Sequence, residues 1–316
     1  MTRDEGERIA NPPRAAGPIG QEIQWRIEAA LFSGYIALMR ALPVEWASRL
    51  GGALLGWLGP RIGTERTVQK NLRLAFPAMG ETERRALSRA QWAQTGRTFA
   101  EVAIMDRLTP ASGRVEIVNA ERLEAIRTSG TPVVFVSGHL ANWEIMPMVI
   151  LDAGIPCQIT YRQANNPYVD DMIRKSRARY GVQLFAPKGG DGARELLEGM
   201  KRGQSVALMN DQKFSQGLEV SFFGHPVHAA PGPSRLAHRF GTVLQPMSVE
   251  RVGGARFRVV VHEPIALDRT LERGEAIHRA VQDITDFVEA RVRERPEEWF
   301  WSHKRFSDAA YATLSD

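Results

Sequence analysis

His139 and Glu144 are the residues whose types and spacing best suit proton transfer in this chain. An imidazole titrates at about 6.5 in water, so a held histidine can take a proton from a weak nucleophile near neutral pH. A carboxylate on its second ring nitrogen would fix the tautomer and steady the imidazolium. The pair lies in the stretch 131–150, TPVVFVSGHLANWEIMPMVI. Five steps on an ideal helix turn the chain by about 500°, leaving two side chains about 140° apart. His139 and Glu144 can therefore meet only if His139 stands just outside a helix, at its N-terminal mouth, with Glu144 pointing back from the second turn.

Other polar residues sit where apolar runs end. Tyr161 and Arg162 close one run, and Asn210, Asp211 and Gln212 close another. If these runs are neighbouring strands, Arg162 and Asp211 come close to His139. Arg174, Lys175, Arg177, Arg179 and Lys188 are opposed locally only by Asp170 and Asp171, a candidate anion-binding rim. Gly189, Gly190 and Gly192 then open a helix whose first amides can hold a phosphate.

Several chemistries fit poorly. Phe135 occupies the position two before Ser137 where a nucleophile elbow needs glycine. His225, His228 and His238 fall in and after a Pro-containing loop without an adjacent acid, which argues against a metal. No phosphate-binding loop or dinucleotide fingerprint follows any strand, so no cofactor is expected. The single cysteine, Cys157, rules out an intrachain disulfide and suits a reducing compartment. A net charge of +5 favours acidic partners. The basic residues lack interleaved aromatics, which turns that preference away from nucleic acid.

The elements that must position these residues follow from the hydropathy pattern. Strand-like runs occur at 132–137, 157–161, 182–185, 205–209, 243–249 and 257–261. Helical patterns occupy 120–127, 142–151, 167–179, 191–201 and 234–240, with a last long helix at 275–293. The alternation predicts an α/β fold, a mostly parallel or mixed sheet flanked by helices, with sites at strand C-terminal ends. Before it, 64–76 and 81–105 read as helices. Residues 24–62 are apolar and aromatic, and Pro43 divides them into two helices. Their uncharged runs, 29–39 and 50–60, are too short to span a bilayer. Trp25, Tyr35, Trp46 and Trp57 with flanking arginines suit an interfacial, membrane-associating pair. The expected layout is a disordered tail at 1–21, membrane-associating helices at 22–63, an α/β domain at 64–306 and a C-terminal tail at 307–316.

The stretch GHLANWE resembles the histidine–four residues–acid motif of glycerolipid-type acyltransferases. The chain as a whole is similar to the late lauroyl/myristoyl acyltransferases of lipid A biosynthesis. The likeness runs through NLRLAFP at 71–77, YRQANNPYVD at 161–170, NDQ at 210–212, SFFGHPV at 221–227, PGPSRLAHRFG at 231–241 and EEWFWSHKRF at 298–306. It covers nearly all of 24–306. It implies transfer of a fatty acyl chain from acyl carrier protein to a hydroxyl of a lipid A precursor, at the cytoplasmic face of the inner membrane. An anionic membrane surface is then a third partner. His139 would be the general base and Glu144 its orienting acid. Arg162, Asp211, Gln212, Asn142 and Lys188 would contact substrate, with Phe222 and Phe223 along the acyl or lipid path. Neither a metal nor an acyl-enzyme is needed. The alternatives are acylation of another glycolipid or phospholipid, hydrolysis by the same histidine–acid pair, and non-catalytic lipid binding on the same scaffold. Members of this family begin with a long apolar anchor, whereas Arg40 and Pro43 interrupt this one.

Overall fold

A computed structural model describes residues 19–161, 163–182, 185–187 and 190–314. The chain opens with helices α1 (Ile19–Ala41), α2 (Val44–Leu58), α3 (Glu65–Ala75) and α4 (Glu81–Val102). Pro43 caps α2 and separates it from α1. The residues expected as a disordered tail lie outside the described residues up to 18, and α1 begins at Ile19. A Cβ on Gly51 of α2 would stand 2.4 Å from the carbonyl oxygen of Gly96 on α4 and 2.6 Å from the Cβ of Ala100. The two helices thus pack backbone to backbone, which only small residues permit.

Alternation follows: β1 (Val115–Val118), α5 (Ala120–Ser129), β2 (Val134–Ser137), α6 (Ile145–Asp152), β3 (Cys157–Tyr161), α7 (Pro167–Ala178), β4 (Phe185–Pro187), α8 (Gly190–Lys201) and β5 (Ser205–Met209). A hairpin of β6 (Leu218–Phe222) and β7 (His225–Ala229) precedes α9 (Gly232–Phe240), β8 (Leu244–Gly253), β9 (Arg256–Val261) and α10 (Arg273–Glu294). The segment expected as a C-terminal tail carries a last short helix, α11 (Asp308–Ala312).

Seven strands form one sheet in the order β1-β9-β8-β2-β5-β3-β4. All its pairs are parallel except β8 with β9, so the sheet is mixed. Val134 to Ser137 is β-branched and aromatic and buried at every position, as a central parallel strand requires. One sheet face, with Phe135, Ala207, Ile159 and Cys157, packs against Met146, Val149 and Ile150 of α6. The other, with Val134, Val136, Val206 and Leu208, packs against Leu196 of α8, Ala237 of α9 and Ile284 of α10. A third cluster joins the hairpin, α3, α10 and Trp299, Trp301 and Phe306. The strand expected at 182–185 is instead β4 at Phe185–Pro187, while β1 and the hairpin strands carry no clear sequence signal.

Candidate active site

β2 and β5 pair side by side with Ser137 opposite Met209. Chain segments leaving their C-terminal ends therefore emerge together, His139 from one and Asp211 from the other. His139 Nδ1 lies 2.7 Å from Asp211 Oδ1, and the backbone N–H of His139 donates to Oδ2 at 2.7 Å. The Trp299 indole N–H donates to the same Oδ2 at 2.8 Å. Asp211 is buried. Burial alone would push its carboxyl up. The charge and hydrogen bonds of His139, with His303 nearby, overcome this and hold it well below the usual carboxylate range. An ionised acceptor on Nδ1 makes that nitrogen the N–H donor and leaves Nε2 as the basic one.

This corrects the expected His139–Glu144 pairing. Helix α6 starts only at Ile145, so Glu144 sits at its cap position rather than on a second turn. Ala141, with φ of +46°, turns the chain sharply between the two residues. The Glu144 carboxylate instead receives Arg177 Nε at 2.9 Å, a second bond from Arg177 Nη2, and the Tyr180 hydroxyl at 3.3 Å. Burial opposes the charge on Arg177, and the Glu144 carboxylate more than restores it. The Arg177 guanidinium also lies 4.6 Å from the centre of the Tyr161 ring.

His139, Trp143, Glu144, Tyr161 and Arg177 surround a pocket of about 170 Å³. Apart from Thr160, its remaining wall is apolar: Met146, Pro147, Ile159, Ala207 and Met209. A polar rim with a base and an ion pair thus opens onto a greasy interior between the sheet and α6.

The loop carrying His139 is held from two sides. Thr98 of α4 donates to the carbonyl of Ala141 at 2.8 Å. Asn142 Nδ2 donates to Glu101 Oε2 at 3.1 Å, and Glu101 is itself paired with Arg251 inside the core. From the C-terminal segment, Ala141 N–H bonds the Glu298 carbonyl at 2.8 Å and Phe300 N–H bonds the His139 carbonyl at 3.1 Å. His303 stands edge-on to His139, ring centres 6.3 Å apart. Burial, together with the charges of His139 and Arg305, outweighs the pull of Asp211 and drops its pKa to about 4.

The remaining expected site residues divide. Asn142 is fully buried and serves the Glu101 network, so it is not a surface for substrate. Gln212 follows Asp211 but is not part of the pocket wall. Phe222 and Phe223 are buried in the aromatic core, edge to face with one another, with Phe222 also against Trp299 and under the Arg305 guanidinium. Neither is part of the wall of the pocket beside His139. Arg162 and Lys188 lie outside the described residues. Sequence reasoning missed the Arg177–Tyr180 clamp and Trp299, although Trp299 lies in the EEWFWSHKRF block that carries part of the family likeness.

A parallel-strand α/β scaffold with a histidine–carboxylate pair above an apolar pocket is a frame for acyl chemistry. The chain is similar to a lipid A biosynthesis acyltransferase of Haemophilus influenzae, 22% identical over 88% of this chain and 86% of the relative. It is also similar to the lipid A biosynthesis lauroyltransferase of Escherichia coli, 24% identical over 86% and 89%. A phosphatidylinositol mannoside acyltransferase of Mycobacterium tuberculosis matches at 25% over 57% of this chain and 56% of that protein. Residues 23–308 match the model of the bacterial lipid A biosynthesis acyltransferases. The chain belongs to that family.

Proposed function

We propose that this protein moves a fatty acyl chain from acyl carrier protein to a hydroxyl of a lipid A precursor, working at the cytoplasmic face of the inner membrane. The carrying observation is the His139–Asp211 pair at the rim of an apolar pocket. Shared family membership supports the substrate class. In this reading the acyl chain occupies the pocket and its thioester carbonyl lies beside His139. The acceptor hydroxyl gives its proton to Nε2 as its oxygen attacks the carbonyl. Asp211 holds the ring and offsets the imidazolium charge. The C–S bond then breaks, and His139 returns the proton to the departing thiolate, leaving an ester and a free carrier thiol. The tetrahedral oxyanion needs hydrogen-bond donors, and Arg162 is a candidate for that role. The Glu144–Arg177 pair positions the rim, and Lys188 and Gln212 remain candidates for headgroup contact.

A comparison of single and double variants in single-turnover transfer tests the assignment. Asp211→Asn should lower the rate by about three to four orders of magnitude, as loss of the orienting acid does in other triads. Combined with His139→Ala it should cost little more than His139→Ala alone. Glu144→Gln should instead multiply with Asp211→Asn. If Glu144 shares the non-additivity and Asp211 does not, the assignment of the two acids is reversed. Mass spectrometry of lipid A from cells lacking the protein tests the acceptor: a missing secondary acyl chain is expected. The mycobacterial match favours a second reading, acylation of a different glycolipid, and intact lipid A with an altered glycolipid would select it.

A further inference from the structure

Ala207 is the smallest side chain in the wall of the pocket. Phe135, Ala207 and Ile159 are aligned across β2, β5 and β3 by the strand register. All three belong to the core cluster on the sheet face that meets α6. Ala207 is thus a gap one residue wide between a phenylalanine and an isoleucine, roofed by Met146 and Pro147 of α6. The row nearer the strand ends, with Met209 and Tyr161, leads back to His139 and the polar rim. The row on the other side holds Ser205 and the buried Cys157, paired across β5 and β3. Ser205 is tied to the main chain there, its hydroxyl accepting from the Val133 N–H at 3.1 Å. The space under α6 is therefore open at the Ala207 row and closed behind it.

We infer that Ala207, with Met146 opposite, sets the length of acyl chain this protein accepts. The inference rests on the proposed function and deepens it. A saturated chain entering past His139 runs along β5 and ends against the side chains around Ala207. Extra carbons on residue 207 occupy the volume that terminal methylenes would fill, and shortening Met146 extends that volume. Each methylene kept from an apolar site costs about fourfold in binding. Ala207→Val should thus shift the ratio of long-chain to short-chain transfer about fourfold to twentyfold toward the shorter donor. Ala207→Leu should shift it further, by about tenfold to a hundredfold. Met146→Ala should move the ratio the opposite way by a similar factor.

The test uses the full chain and a graded series of saturated acyl thioesters on acyl carrier protein, with single-turnover transfer to a lipid A precursor. A folding check accompanies each variant, and the opposite shift of Met146→Ala is an independent readout if an Ala207 variant fails to fold. Opposite displacements of the chain-length optimum support the inference. An optimum that stays in place while the parent and folded variants turn over would overturn it. Absence of transfer by the parent with every chain length would instead strike at the proposed function itself.

Discussion

His303 is held neutral by its surroundings. It is packed against Trp299 and Phe300, faces His139 and Asp211, and has Arg305 behind it. Its folded pKa of about 4 lies below the unfolded value near 6.5, so the unfolded chain binds the proton first. The stability tied to its neutral form is therefore complete above about pH 6.5. It is lost as pH falls toward 4, at no more than about 1.4 kcal/mol per pH unit. Glu298, raised to about 7 chiefly by burial, runs the other way, gaining stability as pH drops below 7. The parent curve mixes the two, so the informative quantity is a difference. Urea unfolding of parent and His303→Gln should show the variant gaining relative stability between pH 6.5 and 4.5; a gap independent of pH would contradict the assignment. The same scale explains what could be read from sequence. His139 was legible because a glycine and a histidine end an apolar strand-like run. Asp211 was legible as a neighbour of His139 but not as its partner, because the nearest acid in sequence competes with an acid beyond the end of the adjacent strand. Glu144 was diverted by Arg177 and Tyr180, contacts that no local spacing encodes.

Among the elements, the α2–α4 contact carries the sharpest packing requirement. Cβ atoms at Gly51 or Gly96 would fall 2.4 and 2.2 Å from the facing carbonyl oxygen, and rigid backbone cannot yield as a side-chain tip does. Gly51→Ala or Gly96→Ala should force the helices apart and cost about 1–3 kcal/mol. Gly34, inside α1 with nothing within 4 Å of its missing Cβ, supplies the contrast. Gly34→Ala should be neutral or stabilising by up to about 1 kcal/mol, since alanine restricts the unfolded chain and favours helix. Thermal unfolding of the three variants distinguishes a close helix contact from simple helix propensity: equal shifts would remove the contact. Most elements of the alternating region were legible because central strands and amphipathic helices write strong periods. The β6–β7 hairpin was not. Its two-residue tip, Phe223–Gly224, has φ of +51° and +74°. Such a turn normally announces itself with Asn or Gly at both places. Here a phenylalanine accepts the strained conformation because its ring packs on Phe76 and Phe222 and its N–H bonds Glu289. Tertiary packing overrode the turn signal.

At the scale of the whole molecule, the apolar surface left outside the core is concentrated on α1 and α2. Ile19, Ile23, Ile27, Leu31 and Leu38 are exposed along α1, and Trp46, Leu50, Leu54 and Trp57 along α2. Among the described residues no helix is long and apolar enough to cross a membrane. An exposed stripe of this kind on helices anchored from behind suits a surface that lies in the headgroup boundary. The anchoring is specific. Arg40 pairs with Asp106 and bonds the Ala103 carbonyl, and Glu45 pairs with Arg114. The charges that interrupt the apolar stretch thus hold the helices to the body of the protein. The outer half of α1 is also tied to α7, through Tyr168 to Glu22 and Asn166 to the Trp25 carbonyl and Glu28. Arg177 at the pocket rim lies on the same helix, toward its other end. Trp46→Ser with Trp57→Ser should weaken binding to anionic vesicles by about tenfold to a hundredfold, the cost of withdrawing two partly buried indoles from an apolar boundary. Folding and transfer to a detergent-dispersed acceptor should persist, because neither indole reaches the core. Transfer to acceptor embedded in vesicles should fall with binding. Unchanged vesicle affinity would show that these tryptophans meet something other than lipid, and loss of transfer in both formats would mean that the helices shape the pocket itself.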